Sequence, residues 1–369
     1  MRRLMVFIFI SVTLLAHTDL QALWQKRFDA AQIADIEGAL MHPDGSFVAV
    51  GKSCDANRLT VFSCDRKGTI LRKKVLPFDY VYDPKIVALQ QGGYVVAAPF
   101  HEKSGRNRIV LIKLNKKVKV EWIKKTDLDD FDHAVAAIAP LRDGGFVLID
   151  FAVKFLSDER SVTSNRLLRF DADGKMVEKI PLDWTLLRIK ELSNGDLAAA
   201  GAIKQRVGTP LKLLLVHLDH RGKLKRLHLY PQIPYNGDDP LLLKSDGSVA
   251  LVYQTDRTSD RYRFALIDKR GDSVHISPFE AKKTIFHALL PWQNGGYLLI
   301  GERILNRPGL AIVLQRFDAK AKMKKERSFG RYYGDPIKFA TTDPKGELLI
   351  GGSVVKGTRF YGLIVKLKP

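Results

Sequence analysis

A pair of turn residues followed by a short apolar run recurs along this chain at intervals of about fifty residues. Asp44-Gly45 precedes the run at 47–51, Gly92-Gly93 that at 94–97, Gly144-Gly145 that at 146–149, and Asn194-Gly195 that at 197–201. Asp246-Gly247, Gly295-Gly296 and Lys345-Gly346 precede the runs beginning at 249, 297 and 348. Six successive steps of nearly equal length are not a chance pattern, and a fixed period of this size dictates an array of like units rather than one continuous core.

Within each period the order of elements repeats. The glycine-led run is followed by a variable loop and then by a second apolar run that ends in a turn, as in Asp65-Arg66-Lys67-Gly68, Asp171-Ala172-Asp173-Gly174, Asp219-His220-Arg221-Gly222 and Asp268-Lys269-Arg270-Gly271. Asp supplies a side chain that bonds its own backbone, and Gly accepts positive φ. A more polar strand follows, for example 118–124 or 322–328. Four short antiparallel strands per unit predict an all-β fold, a seven-bladed β-propeller. The seventh unit stops at Pro369 without its outermost strand, and residues 23–28 (Leu-Trp-Gln-Lys-Arg-Phe) have the fourth-strand pattern without partners of their own. The expectation is that this segment completes the last blade and closes the ring.

The motif of Gly-Gly, aromatic, apolar run and Gly, with Asp-x-x-Gly and then a segment such as Glu326–Gly330 with Gly334-Asp335, resembles the repeat of bacterial secreted or periplasmic β-propellers, degenerate relatives of the WD40 and quinone-cofactor propellers. The resemblance covers residues 23–369 and implies the fold and an extracytoplasmic setting. The Gly-His and Trp-Asp signatures of WD40 repeats are absent, as is the Ser-x-Asp-x-Gly-x-Thr-Trp box of sialidase-like propellers. The few tryptophans, Trp24, Trp122, Trp184 and Trp292, do not form the docking repeat of the quinone enzymes.

Residues 1–22 read as a secretory signal: Arg2 and Arg3 lead an apolar run at 4–16, shorter than a membrane span, and Ala22 suits cleavage. A periplasmic or secreted propeller at 23–369, monomeric and without a transmembrane span after signal removal, is expected. An uncleaved N-terminal anchor is the alternative. Only two cysteines occur, Cys54 and Cys64, which excludes a disulfide-built scaffold. Strand register places them about 20 Å apart, so two free thiols are expected, with Cys64 buried; a ten-residue loop disulfide would require a different register.

The net charge of +20 comes from 60 Lys plus Arg against 40 Asp plus Glu. Its lysines cluster at 73–74, 116–117, 119, 124–125, 223–225 and 320–325, on the predicted third-to-fourth turns and outer strands. Such a rim attracts anionic polymers over about one Debye length, ~8–10 Å, or keeps outer strands from pairing with other chains. Export removes nucleic acid as a partner. The loops leading into the innermost strands are different in kind. They carry Tyr82 and Asp83, Asp130, Asp132 and His133, Asp238 and Asp239, and Tyr333 and Asp335. Carboxylates and tyrosines gathered on one channel mouth suit a polar ligand, although each Asp also suits a turn cap. A calcium loop at 127–132 lacks the EF-hand glycine and glutamate, the histidines 217, 220 and 228 have strand rather than ligand spacing, and no serine elbow or phosphate loop occurs, so no metal or cofactor is expected. The reading favours a non-catalytic module binding a protein, a glycan or an anionic envelope polymer. A glycan hydrolase or lyase using mouth carboxylates is the alternative.

Overall fold

A computed structural model describes residues 21–29, 33–53, 58–102, 105–126, 128–157, 160–203, 211–235, 237, 239–256 and 260–368. Those residues form seven four-stranded antiparallel sheets arranged as the blades of a propeller. The first strand, β1 (Gln21–Phe28), belongs to the last blade. Blade 1 comprises β2 (Asp35–Met41), β3 (Phe47–Lys52), β4 (Leu59–Cys64) and β5 (Ile70–Val75). Blade 2 comprises β6 (Lys85–Ala88), β7 (Tyr94–His101), β8 (Asn107–Leu114) and β9 (Val120–Lys125). Blade 3 follows with β10 (Asp132–Pro140), β11 (Phe146–Ser157), β12 (Arg160–Phe170) and β13 (Met176–Leu182). Blade 4 is β14 (Thr185–Glu191), β15 (Leu197–Ile203), β16 (Lys212–Leu218) and β17 (Leu224–Pro234), and blade 5 is β18 (Leu241–Leu243), β19 (Val249–Gln254), β20 (Arg261–Ile267) and β21 (Val274–Glu280). Blade 6 is β22 (Thr284–Pro291), β23 (Tyr297–Ile304), β24 (Leu310–Phe317) and β25 (Met323–Tyr332). β26 (Phe339–Thr342), β27 (Leu348–Lys356) and β28 (Arg359–Lys368) complete the count. The described residues contain no helix long and apolar enough to cross a membrane.

The predicted closure is present. β1 pairs antiparallel with β28, Trp24 opposite Lys366 and Phe28 opposite Gly362, so blade 7 reads β26-β27-β28-β1. Blade 7 is thus built from the first and the last three of the described strands.

Second and third strands of each blade are apolar on both faces because blades stack face to face. Each buried apolar cluster spans a seam between neighbours: Val48, Val50 and Val61 of blade 1 pack with Val96, Ala98 and Val110 of blade 2, and Phe28 and Ile364 pack with Phe47 and Phe62 across the closing seam. At about 1.5–3 kcal/mol per buried aliphatic or aromatic side chain, the seams carry the stability, and no blade has a core of its own.

Polar bridges cross three of the seams. Lys366 donates to Gly45 O at 2.9 Å, Lys113 to Ala172 O at 2.9 Å and Arg169 to His220 O at 2.8 Å, each reaching a turn of the next blade. Trp122 lies on the turn at Gly174, where a Cβ would meet the indole at 2.5 Å, and Trp24 lies likewise on Gly68 at 2.7 Å. Both glycines also have positive φ, so the Asp-x-x-Gly turns need glycine for conformation and for the neighbouring ring. Trp24 therefore does in blade 7 what Trp122 does in blade 2. Cys64 is buried and free, and burial pushes its thiol up to about 12, which makes it a poor nucleophile. Cys54 lies outside the described residues.

Candidate functional site

The loops that lead into the innermost strands collect on one face of the ring, together with the loops joining second to third strands. In blade 3 this face holds a buried charged group. His133 is the second residue of β10, Asp150 lies in β11 and Arg166 faces Asp150 from β12. His133 Nδ1 sits 3.0 Å from Asp150 Oδ1, and its Nε2 sits 3.2 Å from Asp129 Oδ1. Arg166 Nη2 is 2.6 Å from Asp129 Oδ2, Nη1 is 3.6 Å from Asp150 Oδ2, and Nε donates to Ser164 Oγ at 3.1 Å. The guanidinium lies over the Phe131 ring, 5.5 Å from its centroid. His133, Asp150 and Arg166 are at most 6% exposed, whereas Asp129 opens toward solvent.

Two buried donors are under-used. His133 Nε2 and Arg166 Nη1 have ion-pair partners but no hydrogen bond of good geometry. Burial pushes the Asp129 carboxyl up, yet the Phe131 N–H and the Arg166 guanidinium outweigh it and hold the group below its ordinary value.

Asp150 and Arg166 had not been singled out from the sequence, although the repeat marks them. Asp150 stands where blades 1, 4 and 6 have Gly51, Gly201 and Gly301. There the innermost strand bulges, and its carbonyl comes within 2.0–2.4 Å of where a Cβ would sit. Opposite these glycines stand Thr60, Leu214 and Val313, none of them charged, so the facing pair Asp150 and Arg166 departs twice from the repeat at one place.

A second cluster joins blades 7 and 1. Lys338 bonds Asp35 and lies 3.4 Å from Glu37, and Lys52 lies 2.6 Å from Glu37. Burial lowers the Lys338 ammonium, but Asp35 and Glu37 outweigh burial and hold it above its usual value. Glu37 is the extra residue of a bulge in β2 between Ile36 and Gly38, which turns it away from the ladder.

The residues expected at the mouth are distributed around the ring. Asp130 bonds Lys154, which lowers its carboxyl, and Asp132 Oδ1 accepts from Asn107 N at 2.7 Å; with His133 they share blade 3. Tyr82 and Asp83 stand before β6. Tyr82 is 46% exposed, and Asp83, at φ 36°, bonds Lys85 at 2.6 Å. Tyr80 in the same loop is also left-handed, at φ 51°, so this loop holds two strained residues. Asp239, before β18, helps to raise the Tyr262 phenol to about 12, behind burial and Asp260; Asp238 lies outside the described residues. Tyr333 and Asp335 are exposed before β26: Arg331 lies over the Tyr333 ring at 5.8 Å, and the Asp335 carbonyl accepts from Ser353 N at 2.8 Å. Blade 3 therefore gathers Asp130, Asp132 and His133, while the others stand in blades 2, 5 and 7. Among the described residues no group of three or more metal-ligating side chains is poised for an ion.

These features define a seven-bladed β-propeller with a charged loop face. No protein-family model matches the chain, and no curated protein matches it. Among solved structures, it is similar to the WD40 domain of Neurospora crassa Pan2, at 11% identity and TM-score 0.54, over 95% of this chain and 96% of that one. It is likewise similar to the WD40 domain of Toxoplasma gondii coronin, at 11% identity and TM-score 0.56, over 95% and 87%. A polysaccharide lyase, Uly1, has 8% identity and TM-score 0.55 over 92% and 90%. At these identities the likeness is one of fold.

Proposed function

We propose that this chain is an exported, non-catalytic binding propeller, whose partner is a polar ligand or protein seated on the lead-in loop face. One observation carries the reading. Mouth carboxylates are committed to fixed partners: Asp83 to Lys85, Asp130 to Lys154, Asp132 to the Asn107 amide and Asp129 to Arg166. Groups paired in this way present a rigid pattern of charge and hydrogen-bond acceptors, which suits recognition better than proton transfer. Export and a periplasmic or secreted setting rest on the signal-like residues 1–22.

A glycan lyase or hydrolase has one observation in its favour. Asp150 holds His133 by Nδ1, the arrangement that orients an imidazole as a base, while Asp129 occupies the direction in which Nε2 faces. Uly1 illustrates that a polysaccharide lyase uses this architecture, and fold alone does not transfer its chemistry.

The test is a thermal-shift screen of glycans and peptides, followed by calorimetry on the best ligand. Asp83→Asn, which keeps a residue suited to the left-handed backbone at φ 36°, and Asp335→Lys, at an exposed position, are expected to weaken binding about tenfold each without lowering the melting temperature. Unchanged affinity in both variants, or steady turnover of an acidic polysaccharide abolished by His133→Ala, would overturn the binding reading.

A further inference from the structure

Two exposed tyrosines flank the residue that anchors the lead-in loop of blade 2. Val81 is fully buried in the seam between blades 1 and 2 and bridges Phe100 of β7, while Tyr80 is 53% and Tyr82 46% exposed. The loop is held down at a second point, where Tyr82 N donates to Pro99 O at 3.1 Å. Its backbone is unusual. Among the described residues eighteen glycines take positive φ and only six other residues do, and two of those six, Tyr80 and Asp83, stand in this loop. A glycine would adopt such a conformation freely, whereas a ring-bearing residue is strained by it. A ring is therefore kept at a position where the turn alone selects glycine.

Polar atoms around the rings are fixed in place but not used up. The Tyr80 ring meets His101 edge-on, with centroids 6.5 Å apart. His101 Nδ1 lies 3.1 Å from Asn107 Oδ1, and Asn107 N donates to Asp132 Oδ1 at 2.7 Å, which ties the loop to blade 3. The second ring nitrogen of His101, the side-chain nitrogen of Asn107 and both tyrosine hydroxyls have no hydrogen-bond partner among the described residues. Charge, by contrast, is already answered. Asp79 pairs with Arg58 at 3.2 Å and Asp83 with Lys85 at 2.6 Å, so the acids of this loop do not select a cation. Exposed rings beside unused donors and acceptors match a chain of hydroxyl groups, each able to donate and accept, carried on C–H faces that stack on aromatic rings.

We propose that the ligand of the loop face is a neutral oligosaccharide, stacked on Tyr80 and Tyr82 and hydrogen-bonded by His101, Asn107 and Asp83. The proposal rests on the binding reading of that face and narrows it to one class of ligand.

The test is calorimetric titration of the full chain with cellohexaose, xylohexaose, mannohexaose and maltohexaose, with hexagalacturonate and the chitosan hexamer as charged counterparts. Saturable binding of a neutral sugar is expected, with the same affinity at about 50 and about 500 mM salt because no ion pair forms. Tyr82→Ala is expected to weaken it about tenfold, and Tyr82→Phe, which keeps the ring, by less than about twofold. Tyr80→Gly removes a ring and relieves the strained backbone together. It is expected to weaken binding about tenfold with the melting temperature unchanged or raised, a combination that a merely structural tyrosine would not give. Binding that survives both Tyr82→Ala and Tyr80→Gly, or a preference for either charged hexamer over every neutral sugar, would overturn the assignment. A peptide bound in the thermal-shift screen with no sugar bound would overturn the glycan and leave the reading of the face standing, whereas binding of neither would overturn both.

Discussion

A chain lacking residues 21–28 is expected to lose its cooperative unfolding transition and to expose apolar surface, read as dye binding and the collapse of near-ultraviolet circular dichroism. Three contributions disappear together. The ladder between β1 and β28 goes, each hydrogen bond netting about 1 kcal/mol. Phe28 leaves its place against Phe62, with ring centroids 5.4 Å apart, and Trp24 leaves Phe47, the Gly68 turn and the Arg66 carbonyl it bonds at 2.9 Å. Those losses approach the whole stability of an ordinary domain, about 5–15 kcal/mol. Because every cluster spans a seam, an opened ring frays from both sides rather than losing one blade. Trp24→Ala alone is expected to cost about 1–3 kcal/mol, since the indole is half-buried, measured by denaturant unfolding. A truncated chain that melts with native cooperativity would show that β1 is dispensable.

Asp150→Ala should be the most damaging single substitution on the loop face. Asp150 is completely buried, and its removal leaves His133 Nδ1 and half of the Arg166 guanidinium without a counter-group. Breaking one side of a buried charged set costs about 3–5 kcal/mol, whereas replacing the whole set by apolar groups is often neutral. The triple variant Asp150→Gly, His133→Ala, Arg166→Leu restores the pattern of blade 4, where Gly201 faces Leu214, and is expected to recover most of the loss. If the single and triple variants are equally unstable, the cost comes from packing and not from charge. The pH dependence has a definite sign. Asp129 is held below its ordinary 3.8, so its contribution is complete above that value and fades as pH falls through the lower folded one. Acid unfolding monitored below pH 3.8 should therefore be less steep in Asp129→Asn.

Much of this architecture was legible in the sequence because it rests on local chemistry that repeats. Asp-x-x-Gly and Gly-Gly mark turns wherever they occur, and seven spaced copies leave few folds open. Even the exchange of ends could be read, since residues 23–28 look like a fourth strand and have no neighbours to pair with. The loop face was legible only in composition. Acids and tyrosines in the lead-in loops were visible, but not that Asp83 and Asp130 would be paired with Lys85 and Lys154, two and 24 residues further on. Asp150 and Arg166 were hidden inside apolar runs, where attention falls on hydrophobicity. Laying the seven runs over one another exposes both, because an acid replaces a glycine just where a base faces it from the next strand.

The pairing of β1 with β28 also sets an order of events during synthesis. Of the described strands β1 is made first and its partner β28 last, so the nascent chain carries an unmatched, aromatic-bearing segment while the strands between them are made. Closure is then a contact between the two described strands farthest apart in sequence, the kind that forms slowly. Anything that captures residues 21–28 before release delays the final step of folding, and a chain cut short near its end is left as an open arc.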